Sequence, residues 1–224
     1  MIATPAPEAP PADTHEHAYS SPTWWYDLRG FGILTFAYQG TLGQQLRFFT
    51  QNMKTRHLEV AIGTGTLFQM IVKRCRRNGT LPESIVGIDY SAAMLEGAKR
   101  RFQKFPNIKL LQGTVCAMPL PYESFDSVNI ANALHCFSDV AGALREIKRV
   151  MKPDATLAAN VLLYPRGIAP ARGIANSINR WGMRKGILHT PFTESEVFAH
   201  FNDAEFRIEK SFVKGNCLYL LASA

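Results

Sequence analysis

The sequence has few cysteines and no arrangement of them that would hold a metal ion. Its four cysteines, among 224 residues, are widely separated and form no Cys-x-x-Cys pair. This excludes a zinc ribbon and a thioredoxin-like redox site. A chain of this length buries roughly 70–75% of the surface that its unfolded form exposes, so it needs neither disulfides nor a structural metal for stability. We therefore expect reduced thiols and no metal.

Long hydrophobic runs and a targeting segment are also missing. The apolar stretch 31–38 is far shorter than the roughly 18 residues that a membrane span requires. The first 21 residues contain neither the basic region nor the apolar region of a secretory signal. By elimination, we expect a cytoplasmic protein that does not cross a bilayer.

Acidic residues are outnumbered by basic ones, 18 to 25, which gives a net charge of +7. Such an excess favours an anionic partner, such as a nucleic acid, a lipid headgroup or an acidic metabolite. The basic runs, at 73–77 and 99–101, fall late in predicted helices, where cations complement the helix dipole. A solvated basic surface is therefore the simpler interpretation, and we expect no nucleic-acid partner.

Three segments differ in composition along the chain. Residues 1–18 are rich in proline and alanine with little to bury, which predicts a disordered leader. Residues 19–55 are aromatic and apolar with helical spacing, which predicts an N-terminal helical cap or lid. Its apolar faces pack either within a monomer or across a homodimer. In residues 56–224, apolar runs of strand length alternate with helical stretches, which is typical of a parallel sheet with helices on both faces.

The pattern of this third segment predicts an α/β fold with a seven-stranded, mostly parallel sheet of Rossmann-like type. A C-terminal antiparallel hairpin ends the sheet. Ser91 and Ser138 are predicted N-caps, and Thr193 with Glu196 forms a predicted capping box. Residues 164–191 are rich in Gly, Pro and Arg, which predicts an inserted lid. The predicted strands are 57–62, 84–88, 108–112, 125–130, 156–163, 206–213 and 216–221, and the predicted helices before the insertion are 66–77, 92–105 and 140–151.

A glycine turn after the first strand indicates a nucleotide-type site. Gly63 and Gly65 flank Thr64 between a buried strand and a helix, so the backbone can approach a ligand and the helix offers unpaired N–H groups. The second strand ends at Asp89, where a carboxylate accepts hydrogen bonds from ribose hydroxyls. Local capping of the next helix is the alternative role for Asp89.

Two common nucleotide sites are excluded at this turn. A dinucleotide fingerprint needs a third glycine three residues after Gly65, but the bulky Phe68 stands there. A phosphate-binding loop needs Gly-Lys-Ser/Thr after the turn, and that triplet is missing. NAD, FAD and nucleoside triphosphates are therefore disfavoured.

These motifs resemble those of class I S-adenosylmethionine-dependent methyltransferases. Glu59-Val-Ala-Ile-Gly-Thr-Gly resembles their first motif, and Gly87-Ile-Asp-Tyr-Ser matches their second strand with its ribose acid. Residues 119–126 and 144–153 match the stretches before the fourth and fifth strands, and Asn132-Ala-Leu-His135 stands at the position of a Leu-His element at the active-site mouth. The resemblance spans about residues 56–163 and points to small-molecule members similar to the quinone-biosynthesis C-methyltransferases.

The resemblance implies S-adenosylmethionine as the cofactor and S-adenosylhomocysteine as its product. It places Glu59 beneath the amino group and Asp89 at the ribose. Ala61 replaces the family's first glycine, and we expect it to have an ordinary backbone conformation. The residues that the resemblance assigns to the cofactor are Glu59, Ala61, Gly63, Thr64 and Gly65 for the methionine and ribose, Asp89, Tyr90, Met94, Thr114 and Val115 for the ribose and adenine, and Ile130 and Ala131 for the methionine pocket.

Methyl transfer is an in-line displacement, so the protein mainly has to align the reacting atoms in a dry pocket. His135 is the candidate general base, because imidazole ordinarily titrates near pH 6–7. A histidine that only holds backbone is the alternative. We expect residues 19–55 and 164–191 to form a lid over a flat, aromatic-lined pocket that binds a small aromatic or apolar acceptor. The candidate substrate contacts are Trp25, Tyr26, Asn132, Tyr164, Trp181 and His189.

Other interpretations stay open at this point. Arginines in residues 164–191 suit an anionic substrate group or a peripheral membrane contact. The net charge also suits an RNA or protein methyltransferase, although Asn-Ala-Leu-His differs from the Asn/Asp-Pro-Pro-Tyr/Phe element of base-methylating enzymes. A non-catalytic domain that binds the cofactor and regulates a partner is the third alternative.

Overall fold

A computed structural model describes residues 41–166, 169–184 and 191–224. The strands are β1 (Arg56–Val60), β2 (Ser84–Asp89), β3 (Ile108–Gln112), β4 (Phe125–Ile130), β5 (Met151–Leu162), β6 (Arg207–Lys214) and β7 (Cys217–Ser223). They form one sheet in the order β3-β2-β1-β4-β5-β7-β6. Strands β1 to β5 pair in parallel, whereas β7 is antiparallel to β5 and β6. The predicted mostly parallel sheet with a C-terminal hairpin is confirmed.

Six α-helices accompany the sheet in the described ranges. They are α1 (Leu42–Gln51), α2 (Thr66–Asn78), α3 (Ala92–Phe102), α4 (Val140–Val150), α5 (Ala169–Arg184) and α6 (Glu194–Asp203), and a 3-10 turn covers Leu134–Cys136. The capping box of Thr193 and Glu196 is confirmed. The N-cap predicted at Ser138 is wrong by one residue, because Asp139 accepts the hydrogen bond from the Gly142 N–H instead.

Two apolar layers cover the two faces of the sheet. On one face α1, α2 and α3 contribute fully or nearly fully buried side chains that include Phe49, Phe68 and Phe102. On the other face α4 and α6 contribute side chains that include Leu144 and Phe201. Strands covered on both faces read as continuous apolar runs, which explains the pattern that predicted them.

The domain boundaries predicted from composition stay predictions. Residues 1–40, including the leader and most of the cap, lie outside the described residues. Helix α1 is the described end of that cap, and its Phe49 is 0% exposed in the same apolar layer as α2. The predicted insertion contains α5, on which Ala175 and Asn179 are buried. Both segments therefore pack against the sheet domain where the structure describes them.

Candidate functional site

The predicted cofactor residues come together at the carboxyl edge of the parallel strands. Residues 61–65 follow β1, Asp89 is the last residue of β2, residues 114–115 follow β3, and Ile130 ends β4. Neighbouring loops are joined directly, since the Ile62 N–H donates to the Ile88 carbonyl at 3.0 Å. Open α/β sheets bind their ligands at this edge.

Asp89 links the two loops that the ribose prediction requires. Its Oδ2 accepts from the Gly63 N–H at 2.7 Å, and its Oδ1 accepts from the Ser91 N–H at 2.9 Å. Burial raises the pKa of this carboxyl, and the backbone donors at Ser91, Gly63 and Tyr90 oppose that shift. An ionised carboxylate has about four acceptor positions, so after these backbone contacts Asp89 can still accept from a ribose hydroxyl.

The glycine turn combines a tight protein contact with an open side. Gly65 has φ +76°, and a Cβ there would lie 2.6 Å from Phe102 Cε2. Gly63 has φ +58°, and no atom of the described residues lies within 4 Å of a Cβ built on it. Gly65 is therefore required by the packing of α3. The space over Gly63 fits a ligand that runs close to the backbone, as the methionine part of the predicted cofactor does.

The expectation that Ala61 has an ordinary backbone conformation is wrong. Ala61 has φ +54°, in the left-handed region. A β-carbon in that region crowds the following carbonyl oxygen, at a cost of roughly 1–2 kcal/mol. The chain therefore keeps the backbone geometry of a glycine at this position, although the residue is alanine.

A chain of buried polar groups runs through strand β1, which leads into the turn. His57 Nε2 lies 3.3 Å from Glu59 Oε2, and His57 Nδ1 lies 2.8 Å from Ser127 Oγ, which in turn accepts from the Lys54 N–H. His57 and Glu59 are 0% and 2% exposed. Burial lowers the pKa of His57 to about 3 and raises the pKa of Glu59 well above its usual range. Burial thus favours the neutral form of each group, and the contact with His57 holds the Glu59 side chain two residues before Ala61.

A second polar cluster surrounds Asn132, which follows β4 and has φ +57°. Its side-chain amide pairs with Gln45 of α1 at 3.1 and 3.2 Å and with Asn160 of β5 at 2.6 Å. Gln45 and Asn160 are both 0% exposed, while Asn132 is half-buried. Sequence reasoning named Asn132 but missed Gln45 and Asn160, whose only signal was a polar residue at an otherwise apolar position.

His135 lies in the 3-10 turn after β4 and is 5% exposed. The Leu162 N–H donates to its Nδ1 at 3.4 Å. Burial lowers the pKa of His135 to about 3. The reason for choosing it as a base, an ordinary imidazole titration near neutral pH, therefore does not apply in this structure. A neutral imidazole that accepts from backbone matches the alternative role, and the catalytic role stays a prediction.

The other predicted contacts differ in accessibility. Tyr90 and Tyr164 are 43% and 49% exposed, whereas Met94 is 2% exposed and belongs to the core side of α3. The Thr114 hydroxyl accepts from the Cys116 N–H at 3.3 Å. Trp181 is half-buried on α5. Trp25, Tyr26 and His189 lie outside the described residues.

Neither a metal site nor a membrane-spanning helix is found in the part of the chain that the structure describes. No three His, Cys, Asp or Glu side chains come together there as a group that could hold a metal ion. None of the helices in those ranges is both long and apolar enough to cross a membrane. Ile174 and Met183 are exposed on α5, but nine residues of helix place them on opposite sides. The predicted peripheral membrane contact stays a prediction.

Comparison with known proteins identifies the central part of the chain. Residues 58–159 match a family model described as "Methyltransferase domain". Residues 58–159 form a methyltransferase domain. This methyltransferase domain contains the glycine turn, Asp89 and Asn132, while the partners of Asn132, Gln45 and Asn160, lie outside it. The predicted methyltransferase family is thereby confirmed for these residues, and the solved structures similar to the chain include a SAM-dependent methyltransferase, in agreement with the predicted cofactor.

Two curated relatives methylate quinones according to their names. The chain is 29% identical over 133 residues to the 2-phytyl-1,4-naphtoquinone methyltransferase of Thermosynechococcus vestitus, covering 59% of this chain and 55% of the relative. It is 35% identical over 99 residues to the demethylmenaquinone methyltransferase of Staphylococcus aureus, covering 44% and 39%. The chain therefore spans about half or less of the curated relatives that it matches.

Solved structures support the fold over a larger part of the chain. A SAM-dependent methyltransferase from Aquifex aeolicus superposes with a TM-score of 0.64 at 20% identity, covering 91% of this chain and 98% of that one. A likeness at this identity shows the architecture, and the coverage shows that it extends beyond residues 58–159.

Proposed function

We propose that the protein transfers a methyl group from S-adenosylmethionine to a small aromatic acceptor of the quinone or quinol type. The observation that carries the proposal is the contact between the Asp89 carboxylate and the Gly63 N–H at the carboxyl edge of the sheet. The position of Asp89 beside an open glycine turn supports a ribose-binding role for its carboxylate. The quinone substrates named for two curated relatives support the acceptor class.

The residues of this chain would hold the cofactor from three sides. Asp89 accepts from a ribose hydroxyl, and the open side of Gly63 admits the methionine part. Glu59, held by His57, lies in the strand that leads into the turn. When bound, S-adenosylmethionine supplies a methyl group on a sulfonium, which a nucleophile takes by in-line displacement to leave S-adenosylhomocysteine. The protein contributes alignment and exclusion of water to this reaction.

A strong general base is not part of the proposal. Burial lowers the pKa of His135 to about 3, which disfavours the imidazolium that a general base would become. The site therefore suits an acceptor that needs little help to ionise, such as a phenol or quinol, whose ring carbon or oxygen becomes the nucleophile. His135 would then contribute shape and a fixed contact to the Leu162 backbone.

Calorimetric titration with S-adenosylmethionine and S-adenosylhomocysteine tests the cofactor half of the proposal, with NADH as the control ligand. We expect micromolar binding of the first two and none of NADH. Asp89→Asn leaves one acceptor oxygen in place of two, so both affinities should fall by about 10- to 100-fold, the loss expected for hydrogen bonds to a charged group. Asp154→Asn, an exposed site at the opposite end of the sheet, is the matched control and should bind like the wild type.

Methyl transfer from labelled S-adenosylmethionine tests the acceptor half. We expect product with 1,4-naphthoquinols and phenols under reducing conditions, and none with RNA or with basic peptides. Transfer to RNA or peptide alone would overturn the acceptor class. Tight cofactor binding without transfer to any acceptor would instead favour the non-catalytic regulator.

A further inference from the structure

The side chain of Asn132 is held at the carboxyl edge of the sheet by two buried amides. Gln45 reaches it from α1 and Asn160 from β5, and both are 0% exposed. The backbone of Asn132 has φ +57°, a conformation that asparagine tolerates better than most residues. Asn132 itself is half-buried and follows Ile130 and Ala131, the predicted methionine pocket. A rigid amide therefore stands two residues after the end of β4, at the sheet edge where the cofactor is proposed to bind.

The polarity of all three amides follows from one backbone group. The Asn132 backbone N–H donates to the Asn160 side chain at 2.7 Å. A backbone N–H can only donate, so the Asn160 atom facing it is the oxygen, Oδ1. Asn160 must then direct its Nδ2 at Asn132, 2.6 Å away. The atom of Asn132 that receives this donor is its oxygen.

The same reasoning extends to Gln45. Asn132 Oδ1 also receives Gln45 Nε2 at 3.1 Å, and Asn132 Nδ2 donates to Gln45 Oε1 at 3.2 Å. Both lone pairs of Asn132 Oδ1 are therefore used, by Gln45 and Asn160. Of the two hydrogens on Asn132 Nδ2, one is used and the other has no partner among residues 41–166, 169–184 and 191–224. The side chain thus has a donor to offer a ligand and no acceptor.

We infer that Asn132 donates its remaining amide N–H to an oxygen of the methyl acceptor, and that Asn160 and Gln45 are positioning residues that set this polarity. The inference rests on the proposed function and narrows its substrate class. The acceptor presents a carbonyl oxygen or an oxyanion at this point, as a quinone, a phenolate or an enolate does. An ammonium or another group with donor hydrogens alone would meet the amide with the wrong polarity.

Binding of a matched pair of probes tests the polarity without any turnover. The probes are 1-tetralone, whose polar group is a single carbonyl, and tetralin, the corresponding hydrocarbon, both added to the S-adenosylhomocysteine complex. We expect the wild type to favour tetralone over tetralin by about 2- to 12-fold, the net effect of one hydrogen bond. Asn132→Asp keeps acceptors for Gln45 and Asn160 but has no donor, so this preference should disappear.

Two further variants separate the donor from its surroundings. Asn132→Gly accommodates φ +57° and removes the amide without adding charge, so it should lose the preference even if the aspartate variant folds poorly. Asn160→Leu leaves Asn132 in place but removes the group that orients it, so the preference should fall. Unchanged S-adenosylhomocysteine affinity in Asn132→Gly would show that the loss is specific to the acceptor, although the variant should melt at a lower temperature because Gln45 and Asn160 lose a buried partner.

The inference is overturned if wild type and Asn132→Gly have the same ratio of tetralone to tetralin affinity. It is also overturned if wild type binds tetralin at least as well as tetralone. Failure of the proposed function is a separate result, because that is measured as absent methyl transfer to every acceptor, whereas the polarity is measured by binding alone.

Discussion

Three glycines with the same backbone geometry allow the structure to be tested position by position. Gly63, Gly65 and Gly79 have φ of +58°, +76° and +70°, but a Cβ at each would meet different surroundings. At Gly79 it meets no atom within 4 Å, and at Gly65 it meets Phe102 Cε2 at 2.6 Å. At Gly63 it meets no protein atom of the described residues, but it enters the space assigned to the cofactor.

The expected magnitudes follow from these surroundings. An alanine in the left-handed region costs roughly 1–2 kcal/mol, and this cost should be shared by Gly63→Ala, Gly65→Ala and Gly79→Ala. Overpacking against Phe102 adds about 1–3 kcal/mol, so Gly65→Ala should lose about 2–5 kcal/mol of unfolding free energy in total. For a chain of this size each kcal/mol lowers the melting temperature by about 2–4 °C.

Urea unfolding of the three variants measures stability, and calorimetry with S-adenosylhomocysteine measures binding. Gly63→Ala should unfold like Gly79→Ala but bind the ligand at least about 10-fold more weakly, since one methyl group in the wrong place costs that much or more. Gly65→Ala combined with Phe102→Leu should lose less than the two single changes added together. The reasoning is refuted if Gly65→Ala is no less stable than Gly79→Ala, or if Gly63→Ala binds like the wild type.

Two further predictions concern Ala61 and His135. Ala61→Gly removes a β-carbon from the left-handed region, so the free energy of unfolding should stay unchanged or rise by up to about 1 kcal/mol, which is the relieved strain less the entropic cost of glycine. The control Ala93→Gly, at an exposed position of α3, should lower it by about 1 kcal/mol. An equal loss at Ala61, measured by urea unfolding, would contradict the strain. Burial lowers the pKa of His135 from 6.5 to about 3 in the folded protein. Between these two pH values the unfolded chain binds a proton at this residue and the folded chain does not. The free energy of unfolding should therefore fall as the pH drops below about 6.5, by roughly 1.4 kcal/mol per pH unit for this group. His135→Asn offers an acceptor to the Leu162 N–H and should remove about this much of the slope while sparing S-adenosylhomocysteine affinity. The share of His57, whose pKa burial also lowers to about 3, should stay. An unchanged slope in His135→Asn would contradict the lowered pKa of His135.

The elements of the fold could be predicted because the parallel strands are buried on both faces. Strands β3 and β4 begin and end where the apolar runs predicted. Strand β5 begins at Met151, five residues before the predicted start. The prediction missed these first residues because some of them, such as Asp154, are polar and exposed and so interrupt the apolar run. Helix α5 was not predicted, because the Gly, Pro and Arg content of residues 164–191 indicates an inserted lid and not a helix. Its Pro170 lies in the first turn, where proline lacks no helical hydrogen bond, so that proline does not prevent the helix.

The cofactor side of the site could be predicted from local sequence, whereas the amide cluster around Asn132 could not. Gly63, Gly65 and Asp89 are adjacent to strand ends, and the order of parallel strands brings strand ends together, so their grouping follows from the motif spacing. The amide cluster depends instead on register and on helix placement: Asn132 lies 87 residues from Gln45 and 28 from Asn160, and no periodicity connects these positions. What sequence reasoning could not supply is therefore the hydrogen-bond polarity at the acceptor side, which exists only once α1, β4 and β5 are packed together. This separation explains why the cofactor could be predicted from the sequence while the requirement for an oxygen-bearing acceptor needed the folded structure.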